Sequence, residues 1–203
     1  MEQIDYKKQL KHLYNPSEKK VEIVEVPEMN FLMVDGAGDP NTAQSFSDAI
    51  EALYPLAYTL KFMVKKGGMA IDYGVLPLEA LWWADDMSAF ATGDKDAWKW
   101  TLMIMQPEFI TPEMVQEATA AVAKKKKPVS LPLVRFELFR EGKAAQTLHI
   151  GPFAAEGPTI ARVHLFIEEN GSQRVGKHHE IYLSDMRRVV PEKWKTIVRQ
   201  PMS

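Results

Sequence analysis

The chain has no cysteine, which removes disulfide staples, thiol nucleophiles and thiolate metal sites together. Long apolar runs are missing too. Nothing approaches the roughly 20 residues that a bilayer-spanning helix needs, and Met1-Glu2-Gln3-Ile4-Asp5 lacks the apolar core of a signal peptide. Nor is there a strong charge of either sign. Lys and Arg number 25 against 27 Asp and Glu, a formal net charge of −2, so there is no electrostatic footprint for nucleic acid or an anionic membrane. Gly36-Ala37-Gly38 follows a predicted strand, but no third glycine completes a dinucleotide fingerprint and no Lys-Ser/Thr follows. A tight strand-to-helix turn is the better reading there. These absences leave a soluble, cytoplasmic protein of 203 residues, long enough to bury a sizeable core. No nucleic acid, membrane, metal or cofactor is expected, and the expected state is a monomer or weak homodimer.

What is present is organised around two short stretches, Leu78-Glu79-Ala80-Leu81-Trp82-Trp83 and His178-His179-Glu180-Ile181-Tyr182-Leu183. Both read as strands. Alternation sends Glu79, Leu81 and Trp83 to one face and Leu78, Ala80 and Trp82 to the other; His178, Glu180 and Tyr182 share a face likewise. A carboxylate beside large rings on an apolar strand is unusual, because leaving it unpaired away from water is costly. Its occurrence twice predicts two halves of one pocket.

The rest of the chain divides around them. Residues 1–20 read as an amphipathic helix or arm, 21–128 as a first module and 129–203 as a second, within one compact domain. The first module holds strands at 21–26 and 30–34, with Pro27 between them. A helix over 41–66 follows, capped by Asn41 or Thr42 and kinked by Pro55. Then come strands at 71–75, 78–83 and 98–105, a loop over 84–96, and a helix opened by Thr111-Pro112-Glu113. Lys124-Lys125-Lys126-Lys127 fits a solvated helix C-terminus, where the dipole favours cations and no interleaved aromatics suggest nucleic acid. In the second module, strands at 133–140 and 144–150 join through a hairpin turn at Glu141-Gly142-Lys143. A helix from Pro158 turns Ile160, Val163 and Ile167 inward, and strands at 179–183 and 194–199 complete it.

Strand, strand, helix, strand, strand thus occurs twice. Trp100 precedes Gln106-Pro107 by six residues, as Trp194 precedes Gln200-Pro201. The expected class is α+β: two strand-helix-strand-strand modules, antiparallel sheets with helices on one face, packed about a pseudo-two-fold. A ligand cleft would lie between them, with Glu79 and Glu180 entering from opposite sides.

The blocks Gly36-Ala37-Gly38-Asp39-Pro40-Asn41, Pro77-Leu78-Glu79-Ala80-Leu81-Trp82-Trp83, Leu148-His149-Ile150-Gly151-Pro152 and His178-His179-Glu180-Ile181-Tyr182-Leu183-Ser184-Asp185 together resemble the GyrI-like small-molecule-binding family, and within it the stand-alone bacterial members. The resemblance runs from about residue 5 to 201. It implies paired modules about a pseudo-dyad with a hydrophobic aromatic ligand between them. It further implies hydrolysis of the cyclopropane ring of DNA-alkylating natural products, a detoxification. Relatives fused to DNA-binding regulators sense hydrophobic, often cationic drugs. Carried over residue by residue, the match puts the catalytic carboxylates at Glu79 and Glu180 and an aromatic clamp at Trp82 or Trp83 and Tyr182. One Glu would be the base, and the second Glu or Tyr182 would orient the water or protonate the leaving oxygen. Ligand contacts fall on Trp82, Trp83, Trp100 and His178.

The chemistry is coherent. Desolvation among rings raises a glutamate's pKa and makes it a better base for a water that opens a strained ring. Two other readings use the same residues or the same family. Glu79 and Glu180 serve as counter-charges in a non-catalytic binder of cationic drugs, or the protein is a topoisomerase-inhibiting interaction partner. Adjacent His178 and His179 face opposite sides of a strand, so a metal pair is not expected.

Overall fold

The computed structural model describes residues 1–203, with the side chain of Ala91 set aside. In chain order the elements are β1 (Glu2–Ile4), α1 (Tyr6–Gln9), α2 (Lys11–Tyr14), β2 (Glu22–Ala37), α3 (Gln44–Lys66), β3 (Ile71–Tyr73) and β4 (Leu78–Trp83). There follow α4 (Ser88–Thr92), β5 (Lys99–Gln106), α5 (Pro112–Lys125), β6 (Arg135–Ile150), α6 (Gly157–Glu169), β7 (His178–Tyr182) and β8 (Lys195–Pro201). The protein is a mixed α/β fold in which the longer strands pair antiparallel and the short β1 and β3 pair parallel. Among the described residues no helix is long and apolar enough to cross a membrane.

Two compact units form. The first holds Met1–Tyr6, Met29–Leu76 and Trp82–Phe139; the second holds Lys7–Glu28, Pro77–Leu81 and Arg140–Ser203. Strands β2, β4 and β6 therefore each contribute residues to both.

In the first unit β2 pairs antiparallel with β5, from Asn30 opposite Gln106 to Ala37 opposite Lys99. The β5 strand is buried on both faces: Trp100, Leu102 and Ile104 lie on one, Thr101 and Met103 on the other. Thr101, buried in β5, donates its hydroxyl hydrogen to Asp35, which Arg135 grips with two nitrogens. Helix α3 packs on β5 and α5, burying Ala49, Leu53, Leu56, Leu60 and Val64. Its start differs from expectation. Ala43 occupies the cap position without a side-chain bond, because the preceding loop is closed by Asp39, whose carbonyl takes the Thr42 and Ala43 N–H groups. Asp39 Oδ1 also accepts from Asn41. The helix continues through Pro55. Thr111 caps α5 as predicted, accepting from the Met114 N–H, with proline in the first turn. The predicted loop 84–96 contains the short helix α4.

In the second unit β6 and β7 flank β8, both antiparallel to it, with Ala144 opposite Pro201 and Glu180 opposite Val198. Helix α6 covers β8 through Val163 and Ile167, which meet Ala145, Val198 and Met202 in a small core with Ile160 at its margin. The predicted hairpin at Glu141-Gly142-Lys143 does not form. One strand of 16 residues passes through it, with Gly142 at φ +77°: a bend in the strand, where glycine supplies the left-handed conformation. Pro27 likewise fails to end a strand, and β2 runs on for 16 residues.

Each unit repeats one local device. Gly38 in the first and Gly151 in the second both take positive φ. Each donates its N–H to the carbonyl of the tryptophan before the last long strand, Gly38 to Trp98 at 2.8 Å and Gly151 to Trp194 at 2.9 Å. Trp98, then, and not Trp100, corresponds to Trp194. Trp100 sits inside β5, its ring against Gly36, where a Cβ would clash.

Candidate functional site

Two sets of polar side chains meet at β7, one on each face of the strand. Alternation puts His179 and Ile181 on the buried face and leaves His178, Glu180 and Tyr182 partly exposed on the other.

On the buried face His179 lies between two carboxylates. Its Nε2 is 2.8 Å from Glu79 Oε2 and its Nδ1 2.8 Å from Glu141 Oε1. An imidazole with a carboxylate acceptor at each nitrogen must carry a proton on both, so His179 is an imidazolium. Burial pulls its pKa down, but Glu141 and Glu79 outweigh burial and push it up to about 9. The chain of contacts continues. Arg199 donates to Glu141 at 3.1 Å, to Gln146 at 3.0 Å and to the Leu13 carbonyl at 2.7 Å. Burial raises the pKa of Glu141, yet His179 and Arg199 together hold it down to about 2. Tyr14, from α2, donates to Glu79 Oε1 at 2.6 Å, and burial followed by the Glu79 charge keeps its phenol protonated. Two anions and two cations thus cancel in the interior, with the hydrogen bonds that a buried ion network requires.

The sequence predicts that Glu79 and Glu180 face one hollow. The structure separates them: Glu79 is fully buried, both of its oxygens are bonded, and its partner His179 points away from Glu180 across β7.

On the other face Glu180 collects donors. His178 Nε2 lies 3.0 Å from its Oε1, and Tyr182 donates to its Oε2 at 2.7 Å. Glu156 brings a second carboxyl within hydrogen-bonding reach. It sits at the N-cap of α6 but makes no side-chain cap bond, and it is 4% exposed with Oε1 lacking a hydrogen-bond partner. Two adjacent carboxyls cannot both ionise freely. Burial, then the Glu180 charge, pushes Glu156 up to about 9. Burial also acts to raise Glu180, but hydrogen bonds and charge from His178, with those from Tyr182 and Glu156, bring it below the usual range. That reverses the expectation of a raised Glu180. Of the pair, Glu156 is the member pushed toward its protonated form. Phe153 packs edge-on against Tyr182 at 5.6 Å and beside Trp194 at 5.1 Å, giving this face a half-exposed aromatic border.

The other predicted ligand residues lie in the first unit. Trp82 stacks on Phe46 at 5.9 Å, Phe46 meets Trp100 edge-on at 5.1 Å, and Trp82 meets Trp98 at 5.8 Å. Trp82 and Trp100 are buried and Trp83 is half-exposed. Hollows of about 420 Å³ beside Asp85 and Lys99, and of about 510 Å³ beside His12 and Glu22, are lined by none of the predicted site residues among those described.

Sequence reasoning did not find Glu156, Glu141, Tyr14 or Phe153. Glu156 precedes Gly157-Pro158 and reads as an ordinary helix start. Glu141 looks like a turn residue, and Tyr14 like an apolar residue of the N-terminal arm. The one available signal was a pair of adjacent histidines on a strand, each needing a carboxylate on its own face.

Residues 19–201 match the model of the GyrI-like small molecule binding domain. Three crystal structures from Listeria innocua are similar over nearly the whole chain. A protein described as uncharacterized and conserved is 44% identical at a TM-score of 0.90, covering 98% of this chain and 100% of its own. One described as a hydrolase is 43% identical at 0.89, covering 100% of both; a further hydrolase is 43% identical at 0.86, covering 98% and 100%. No curated protein matches.

Proposed function

Because the chain belongs to the GyrI-like small-molecule-binding family, we propose that it binds flat hydrophobic aromatic molecules and opens a cyclopropane ring in them by adding water. The coarse activity is supported by the two Listeria proteins described as hydrolases. The observation that carries the finer reading is the Glu180 carboxylate, held by His178 and Tyr182 beside the Phe153 ring. A carboxylate so placed orients a water and receives its proton, while strain and conjugation in the ligand lower the remaining barrier. Phe153 and Trp194 offer stacking surface. Glu79 belongs to the buried network with His179 on the opposite face of β7, and Trp83 is a half-exposed ring of the first unit. Detoxification of alkylating natural products is the role that fits this chemistry. The repeated glycine–tryptophan device supports duplication of one strand-helix-strand-strand module as its origin.

The test is direct. Incubation with a cyclopropane-bearing aromatic alkylator should yield a product heavier by one water. Glu180→Gln should slow formation by about 10²–10⁴-fold, the usual worth of general acid–base help. A ligand bound but returned unchanged by the wild type would instead support a non-catalytic binder of lipophilic cations. One observation favours that second reading: Glu180 is kept anionic, as a counter-charge must be.

A further inference from the structure

Glu156 is the feature of the second unit that packing does not explain. An acid at a helix N-terminus ordinarily accepts a backbone N–H there; Glu156 does not. It is buried, its Oε1 has no donor, and its carboxyl meets the one carboxylate assigned to the chemistry. Burying a carboxyl in this way is costly unless it is protonated or paired. Glu180 from β7 and Thr196 from β8 reach its carboxyl, and Glu180 is itself held by His178 and Tyr182. A proton between the two acids relieves both the missing bond and the like-charge repulsion.

Resting on the hydrolase reading above, we propose that Glu156 is the proton donor of the site, paired with Glu180 as acceptor, for substrates whose cyclopropane is conjugated to a carbonyl. The step balances. The oxygen of water bonds to a ring carbon, and the carbon–carbon bond of the cyclopropane breaks. Its electron pair moves through the conjugated system onto the carbonyl oxygen, which takes the Glu156 proton and becomes a hydroxyl. The proton of the water goes to Glu180. Transfer of that proton across the pair to Glu156 restores the starting state, so the net change is addition of one water. A donor whose pKa burial and the Glu180 charge raise well above the usual carboxyl range stays loaded at neutral pH and is suited to an oxygen becoming phenolic.

The experiment uses a spirocyclopropyl cyclohexadienone as probe and follows its hydroxyethyl phenol product, net of the uncatalysed rate. The wild-type rate should fall as pH rises through about 9, where Glu156 loses its proton. Glu156→Gln should turn over about 100-fold or more slowly, lose that alkaline fall, and keep the wild-type inhibition constant for the phenol product. In addition, a wild-type-minus-variant infrared difference spectrum at neutral pH should show the C=O stretch of a protonated carboxyl. A variant that matches the wild-type rate, or is slower but keeps the alkaline fall, overturns the donor role and leaves hydrolysis standing. A wild type that leaves the probe intact overturns hydrolysis itself, and the donor role with it. A difference spectrum without the carboxyl band overturns the placement of the proton, whatever the rates.

Discussion

His179 sits at the balance point of the buried network, and its protonation makes the stability of the fold depend on pH. The folded value near 9 lies above the ordinary 6.5. Its contribution is therefore complete below about pH 6.5 and disappears as pH rises through about 9, a change of order 3 kcal/mol. Glu141 runs the other way. Held near 2 against an ordinary 4.5, it stabilises fully above about pH 4.5 and loses this as pH falls toward 2. The network is strongest between those limits, at about pH 4.5–6.5. Urea unfolding of the wild type should show a midpoint that declines between pH 6.5 and 9. Glu156, also raised, adds to that decline, so the informative quantity is the difference from His179→Gln. The variant should be less stable by about 3–5 kcal/mol near pH 6, as expected for a broken buried ion pair, and should show a shallower alkaline decline. An equal slope in both proteins would remove His179 as its source. Of these residues only the β7 set was legible in the sequence, since alternation alone places Glu180 with Tyr182 and His178. Glu141 and Tyr14 come to His179 from distant segments, and no local pattern marks them.

At the scale of elements, β6 shows why a strand can be mistaken for a hairpin. Glu-Gly-Lys between two alternating runs has the composition of a turn, yet the runs continue each other because Gly142 bends the strand without reversing it. The space around Gly142 is open, with Glu25 Oε1 4.0 Å from where a Cβ would stand. Gly142→Ala should therefore cost only the left-handed backbone penalty, about 1–2 kcal/mol, and Gly142→Asn less. Gly36→Ala is a different case. Its φ is unexceptional, but the Trp100 ring fills the position of the new methyl, so overpacking of about 1–3 kcal/mol is expected. Urea midpoints check both, and an Asn variant no more stable than Ala at position 142 would contradict the backbone account. Helices were easier to read. The start of α5 at Thr111-Pro112 and the inward face of α6 follow from capping and 3.6-residue spacing, which neighbouring strands do not alter. The cap of α3 was misread because Asp39, two residues before Asn41, closes the loop first.

For the molecule as a whole, the five tryptophans divide unevenly: Trp82, Trp83, Trp98 and Trp100 belong to the first unit and Trp194 alone to the second. The sequence assigns ligand contact to Trp82, Trp83 and Trp100 of the first group, since tryptophans following Glu79 look like a clamp. The geometry shifts the weight toward Trp194, because Trp82 and Trp100 are sealed into a ring cluster while Trp194 and Phe153 border the face that carries Glu180. Fluorescence separates the two. A flat aromatic phenol titrated into the wild type should change tryptophan emission, and Trp194→Phe should lose most of that change although four of five emitters remain. Trp83→Phe should retain it. The reverse result, with the change surviving at Trp194→Phe and vanishing at Trp83→Phe, would put the ligand on the first unit's rings and detach binding from the Glu156–Glu180 pair. An unchanged signal in both single variants, with binding intact by calorimetry, would mean that the ligand touches neither ring, and the stacking role given to Trp194 would fall.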